Sequence, residues 1–170
     1  MKLDLGCGPN KREGFHGVDR RAFPGVDTVL DLTGPWPWPD GSVEEAYSSH
    51  FVEHLTSSER CRFWNELHRV LAPKGRATIT VPFWRSGRAY GDPTHVWPPI
   101  SEMTFFYLNR EWRAANAPHC DELLSCDFEA TWGYNLHPSL SVRNAEWQQF
   151  AVSYYAEAIQ DIVATLTCRK

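Results

Sequence analysis

At 170 residues, with 42% hydrophobic and 22% charged side chains, the chain has the size of one globular domain and is too short for two independent catalytic ones. Seventeen Lys plus Arg against twenty-one Asp plus Glu give a formal charge of −4, which argues against a general electrostatic grip on nucleic acid. No apolar run approaches the roughly 18 to 20 residues of a bilayer span, and Asp4 stands where a signal peptide needs apolar side chains, so a cytoplasmic protein is expected.

Along the chain, short apolar runs at residues 2–5, 16–19, 28–31, 45–49 and 76–81 alternate with turn signals, which predicts strands of a parallel sheet wrapped by helices, an α/β fold. The clearest helix starts at Thr56, whose hydroxyl can cap while Glu59 reaches back. Its apolar face runs through Phe63, Trp64, Leu67, Val70 and Leu71, and Pro73, Lys74 and Gly75 stop it. Residues 35–39 and 97–99 crowd proline with tryptophan and predict ordered loops. Residues 82–100 are longer than an ordinary connection and predict a substrate loop or lid. A short helix at 101–108, a strand at 127–136, a helix at 145–157 and a strand at 161–168 complete the chain, with Tyr154 and Tyr155 expected in the core. The five cysteines are odd in number and too sparse for a disulfide scaffold, so free thiols are expected.

Gly6 and Gly8 directly follow an apolar strand, a place where the backbone turns sharply and lets a ligand approach closely. A dinucleotide fingerprint needs a third glycine where Lys11 stands, and Asp4 beside the loop would repel a pyrophosphate but attract an ammonium group. Asp19 closes the second strand where an acid can accept both ribose hydroxyls, and Asp31 closes the third, suited to an adenine amino group. Together these describe a site for an adenosine with a cationic amino-acid tail, S-adenosylmethionine.

On these residues the sequence resembles the class I S-adenosylmethionine-dependent methyltransferases. The run Leu3-Asp4-Leu5-Gly6-Cys7-Gly8 is similar to their first motif and Gly17-Val18-Asp19 to their second-strand acid. Asp31-Leu32, the segment from Trp38 to Val43, His50 to Leu55 and Leu71 to Arg76 follow in register, so the likeness spans residues 1–83. Gly91 to His95 further resembles small type 11-like methyltransferase-domain proteins of bacteria and phages. The resemblance implies a three-layer Rossmann-like sheet of order 3-2-1-4-5-7-6 with strand 7 antiparallel. It also implies a cofactor shell of Asp4, Gly6, Cys7, Gly8, Asp19, Arg20, Asp31, Leu32 and His50. Only ten residues, 9–18, separate the glycine loop from Asp19, too few for the usual first helix. The loop at 82–100, a second subunit or a bulky substrate is expected to supply the missing cover.

The acceptor is left open between a sugar or glycan, a small metabolite and a peptide, with O- or N-methylation. His95 is the first candidate base for a hydroxyl acceptor and His54 the second; Asp92 either orients His95 or makes with Pro93 and Thr94 a turn that His95 closes. Residues 48–51 lack the signature with which amino-methylases of DNA hold a flipped base. His50 to His54 also spells the H-x-x-E-H pattern of inverted zinc proteases, which belongs inside a helix, and it is similar to the Glu-x-x-Glu-His metal site of ubiquinone-pathway O-methyltransferases. The reading adopted is that Glu53 and His54 cap and pack at a helix start, His50 lines the cofactor pocket and no metal is bound. His119, Cys120, Cys126 and His137 match no standard zinc spacing. Arg85 and Arg88 either meet an anionic substrate or are solvated. The alternative from another class is a non-catalytic scaffold that binds the nucleoside without turnover.

Overall fold

Period-two runs too short to fold alone pair into one seven-stranded sheet in the computed structural model, which describes residues 1–170. Its order is β3-β2-β1-β4-β5-β7-β6. The strands are β1 (Lys2–Leu5), β2 (His16–Asp19), β3 (Thr28–Val29), β4 (Val43–Ser49), β5 (Leu71–Pro82), β6 (Phe128–Leu136) and β7 (Ile159–Cys168). The first five pair in parallel, and β7 runs antiparallel to both β5 and β6, the topology that the resemblance implies. Leu3, Leu5, Val18, Ile79, Val81, Ile162, Ala164 and Leu166 are fully buried along these strands and form the middle of the core.

Helix α1 (Ser57–Val70) covers this core with Phe63, Trp64, Leu67 and Val70. Its start is the expected capping box: the Thr56 hydroxyl accepts from the Glu59 N–H while the Glu59 carboxylate accepts from the Thr56 N–H. Its end differs from expectation. The helix stops at Val70, and β5 begins at Leu71, before the Pro-Lys-Gly turn rather than after it. The register jumps from Val43 opposite Leu71 to Glu45 opposite Arg76, so the turn is an excursion within a strand. Lys74 there has φ 64°.

β3 ends two residues early because the Asp31 carboxylate accepts both the backbone N–H and the hydroxyl of Thr33, closing a turn. Between β1 and β2 there is no helix, as the short spacing predicts. The connection is pinned by carboxylates instead: Asp4 accepts from the Arg12 N–H at 2.7 Å, and Asp27 accepts from the Gly17 N–H at 2.7 Å and from Lys11 Nζ at 2.9 Å. Arg12 lies over the rings of Tyr47 and Phe15.

Beyond β5 the chain forms α2 (Arg88–Gly91), α3 (Glu102–Tyr107), α4 (Arg110–Asn116) and α5 (Ala145–Tyr154). Helix α4 was not expected. Arg113 on it is fully buried and donates to the carbonyls of Tyr107, Leu124 and Cys126, which folds this polar stretch onto the sheet. The core placement of Tyr154 and Tyr155 is corrected, since they are 68% and 52% exposed. Only Ala151 of α5 is fully covered, so the aromatic rings of this helix pack on one another instead. All five cysteines are free thiols, and no helix is long and apolar enough to cross a membrane.

Candidate functional site

Two clefts meet at the carboxyl ends of the parallel strands, where open α/β sheets bind ligands. The first has a volume of about 600 Å³. Its floor is the glycine loop, drawn across β2 by the N–H groups of Gly6 and Cys7, which both donate to the Val18 carbonyl. Gly6 has φ +74°, and a Cβ there would lie 2.4 Å from Phe51 Cγ, so the first glycine makes room for an aromatic ring of the protein. Gly8, at φ +52°, has no atom within 4 Å of such a Cβ, and it is at this position that the backbone is bared. Asp19 is fixed by two backbone donors, Gly8 N–H to Oδ2 and Arg21 N–H to Oδ1, both at 2.9 Å. Each oxygen keeps a lone pair free, the requirement for holding two vicinal hydroxyls.

Of the expected cofactor shell, Gly6, Gly8, Asp19, Arg20, Asp31, Leu32 and His50 line this cleft. Asp4 and Cys7 do not. Asp4 lies behind the loop, buried and bonded to Arg12, so its carboxylate shapes the β1–β2 connection and is not presented to a ligand ammonium. Burial raises its pKa above the ordinary carboxylate range in spite of that bond. Burial and the nearby Asp4 and Asp19 push the Cys7 thiol up to about 11, so it is inert at neutral pH. Arg21, Phe23, Leu30, Thr33, Phe51, His54, Leu55, Glu59 and Thr94 complete the lining. Most of these neighbour a strand-end residue already singled out, and that adjacency was the available signal.

The second cleft, about 530 Å³, is lined by His50, Glu53, His54, Pro82, Arg88, Gly91, Asp92, Pro93 and His95, six of them carrying an imidazole, a carboxylate or a guanidinium. Thr94 from the 82–100 loop lines the first cleft, and His50 and His54 belong to both. His50 ends β4 with φ 53°. Its Nδ1 meets Glu53 Oε1 at 3.2 Å and its Nε2 lies 3.9 Å from Asp161 Oδ1. The hydrogen bond to Glu53 raises the His50 pKa, with burial opposing. Residues 52–54 form a single 3₁₀ turn before α1, so the H-x-x-E-H pattern does not lie inside a helix as a protease motif must.

Arg60, only 7% exposed on the apolar stripe of α1, holds the two sides of this cleft together. Its guanidinium donates to the carbonyls of Val52, Glu53, Val96 and Pro98, and the Val96 N–H returns to the Glu53 carbonyl. Sequence reasoning missed it, although an arginine three and four residues before Phe63 and Trp64 on a buried face was the signal. Asp92 does not orient His95 by a hydrogen bond. The two are 4.0 Å apart, Asp92 accepts instead from the N–H and hydroxyl of Thr94, and the His95 ring donates from Nδ1 to the Ala89 carbonyl. Arg88 faces Asp161 at 3.4 Å, while Arg85 stacks over Trp84. His119 and His137 are not brought together with Cys120 and Cys126.

Residues 16–79 match a family model described as a methyltransferase domain. No curated protein sequence matches the chain. Among solved structures it is similar to a SAM-dependent methyltransferase from Archaeoglobus fulgidus, with TM-score 0.67 and 20% identity over 98% of this chain and 85% of that one. It is also similar to 1,6-didemethyltoxoflavin-N1-methyltransferase from Burkholderia thailandensis with bound S-adenosylhomocysteine, with TM-score 0.60 and 14% identity over 99% and 71% of the two chains. A third similar structure is the cyclase SpnF, with TM-score 0.60 and 18% identity over 99% and 74%. At the level of the class I methyltransferase domain, the resemblance read from the sequence is borne out by the family match and the shared fold.

Proposed function

We propose that this chain, a class I methyltransferase by fold and by its match over residues 16–79, binds S-adenosylmethionine in the first cleft and methylates an acceptor held in the second. The observation that carries the reading is Asp19, fixed by two backbone amides at the lip of the bared Gly8 loop with a lone pair left on each oxygen. Asp19 holds the ribose hydroxyls, Gly6 and Gly8 give the tail its passage, and Asp31 and Leu32 with Leu30 and Phe23 enclose the base. When bound, the cofactor supplies a methyl group already activated on a sulfonium, so the protein needs to position more than to activate. Well-oriented reactants gain roughly 7 to 11 kcal/mol, against about 3 to 5 kcal/mol for one general base.

The acceptor enters the second cleft, where three imidazoles, the carboxylates of Glu53 and Asp92 and the Arg88 guanidinium favour a polar molecule such as a sugar or a small hydroxylated metabolite. The loop at residues 82–100 is its substrate loop, contributing Arg88, Asp92 and His95 to that cleft and Thr94 to the first. For a hydroxyl acceptor His95 takes the proton, with His54 beside it at 4.8 Å between ring centroids. The alternative is a scaffold that binds the nucleoside without methyl transfer. The cyclase among the similar structures is the observation that keeps it in view, since related architecture there carries a different chemistry.

Calorimetric titration with S-adenosylhomocysteine tests the first cleft. Binding should be saturable at one equivalent, and Asp19→Ala should weaken it by about 1 to 3 kcal/mol. Unchanged affinity would remove the ribose assignment. With a hydroxyl acceptor found by labelled-cofactor screening, His95→Ala should slow turnover on the order of 10²-fold or more while sparing S-adenosylhomocysteine binding.

A further inference from the structure

The two imidazoles proposed above as bases stand in the second cleft beside a buried carboxylate. A carboxylate oxygen of Glu53 and a ring nitrogen each of His54 and His95 lie within 4.8 Å of one another. Glu53 comes from the turn before α1 and His95 from the 82–100 loop, brought together by the Arg60 latch, so the group includes a member that the H-x-x-E-H pattern lacks.

The hydrogen bonds around the rings set their tautomers. The Thr94 hydroxyl donates to Asp92, so Thr94 Oγ1 accepts from His54 Nδ1 at 2.9 Å, and the Thr94 carbonyl stands as a second acceptor near the same nitrogen. His54 Nδ1 therefore carries the hydrogen. His95 Nδ1 faces the Ala89 carbonyl and carries one for the same reason. In this tautomer each ring has a bare lone pair on Nε2, the arrangement in which an imidazole held by a backbone or side-chain oxygen ligates a metal.

Glu53 supplies a second, independent observation. Its side chain is 5% exposed and lines the cleft, Oε1 meets His50, and Oε2 has no hydrogen-bond partner. An unpartnered buried carboxylate oxygen is costly unless a cation completes it.

We infer that Glu53, His54 and His95 form a binding site for a divalent first-row transition ion. Two imidazoles and one carboxylate suit zinc, cobalt, iron(II) or manganese rather than magnesium or calcium, which prefer all-oxygen shells. Ligands about 2.0 to 2.1 Å from such an ion stand roughly 3.3 Å apart, so the three donors need to close by no more than about 1.5 Å. The remaining positions open into the acceptor cleft, where the ion would bind and acidify an acceptor hydroxyl in place of the imidazole base. The inference does not depend on what the first cleft binds.

Cobalt(II) chloride, titrated into untagged protein stripped with a chelator, tests the site through visible d–d absorption. One equivalent should saturate the spectrum. Glu53→Gln and His95→Ala should each weaken cobalt binding at least tenfold while their melting temperatures in chelator stay within a few degrees of the parent. Thr94→Val, which alters no ligand but removes the His54 hydrogen-bond acceptor, should weaken it on the order of tenfold, and His119→Ala should leave it unchanged. No saturable cobalt spectrum, or equal affinity in Glu53→Gln and His95→Ala, overturns the inference. S-adenosylhomocysteine titrated into the same samples separates that failure from failure of the cofactor reading.

Discussion

The two clefts share His50 and His54 yet differ in how completely their acids are satisfied. Around the first, Asp19 and Asp31 each accept backbone N–H groups, as do Asp4 and Asp27 behind it, and the site is rigid before any ligand arrives. In the second, Asp92 is likewise satisfied by Thr94, but Glu53 Oε2 and, beside His50, Asp161 Oδ1 are buried with no hydrogen-bond partner. A finished site binds the same molecule every time, whereas an unfinished one is completed by what enters it. The difference matches the roles proposed above, a constant methyl donor in the first cleft and an acceptor in the second.

Gly6→Ala attacks the finished side hardest. The new methyl meets Phe51 at 2.4 Å and the residue must keep φ +74°, so unfolding should become easier by roughly 2 to 4 kcal/mol in urea titrations. A near-neutral result would mean that the loop is looser than its hydrogen bonds imply. Glu66→Gln probes a satisfied acid outside both clefts. Glu66 accepts from the Trp36 N–H and twice from Arg69, whose guanidinium holds its pKa below the ordinary range, and the loss should be about 1 to 3 kcal/mol at neutral pH. Because that pKa is depressed on folding, the contribution is complete above about pH 4.3 and fades as the pH falls through the lower folded value. The parent and the variant should therefore converge in acid. Asp161→Asn should cost least, under about 1 kcal/mol, although Asp161 is only 5% exposed, since its nearest cation is the half-exposed Arg88. A larger loss than for Glu66→Gln would erase the distinction between the clefts.

The contrast also explains what was legible in the sequence. The first cleft is built by residues at successive strand ends, and a glycine pair followed by acids at strand spacing announces it; Gly8, Asp19 and Asp31 stand where that pattern puts them. Asp4 and Cys7 share the motif but do not line the cleft, because Asp4 is taken up by the Arg12 N–H of the β1–β2 connection and Cys7 packs against Gly17, contacts that spacing alone left open. The second cleft joins positions 50–54 and 82–95, with Asp161 3.9 Å from His50 Nε2. Their approach depends on the pairing of β5 with β7 and on Arg60, neither of which has a local signature. For the same reason spacing leaves the role of Asp92 open between orienting His95 and making a turn: its nearness to His95 is visible, its preference for Thr94 is not decided.

Arg60 carries one consequence further. It touches neither cleft, yet its four carbonyl partners belong to the turn that presents Glu53 and His54 and to the strap that presents His95. Misplacement by a single ångström can cost a reaction a hundredfold, so the span from donor to recipient is gauged by a side chain remote from both. A lysine there would keep the charge but lose the planar fork, and the gauge would slip without any change in what either chamber recognises.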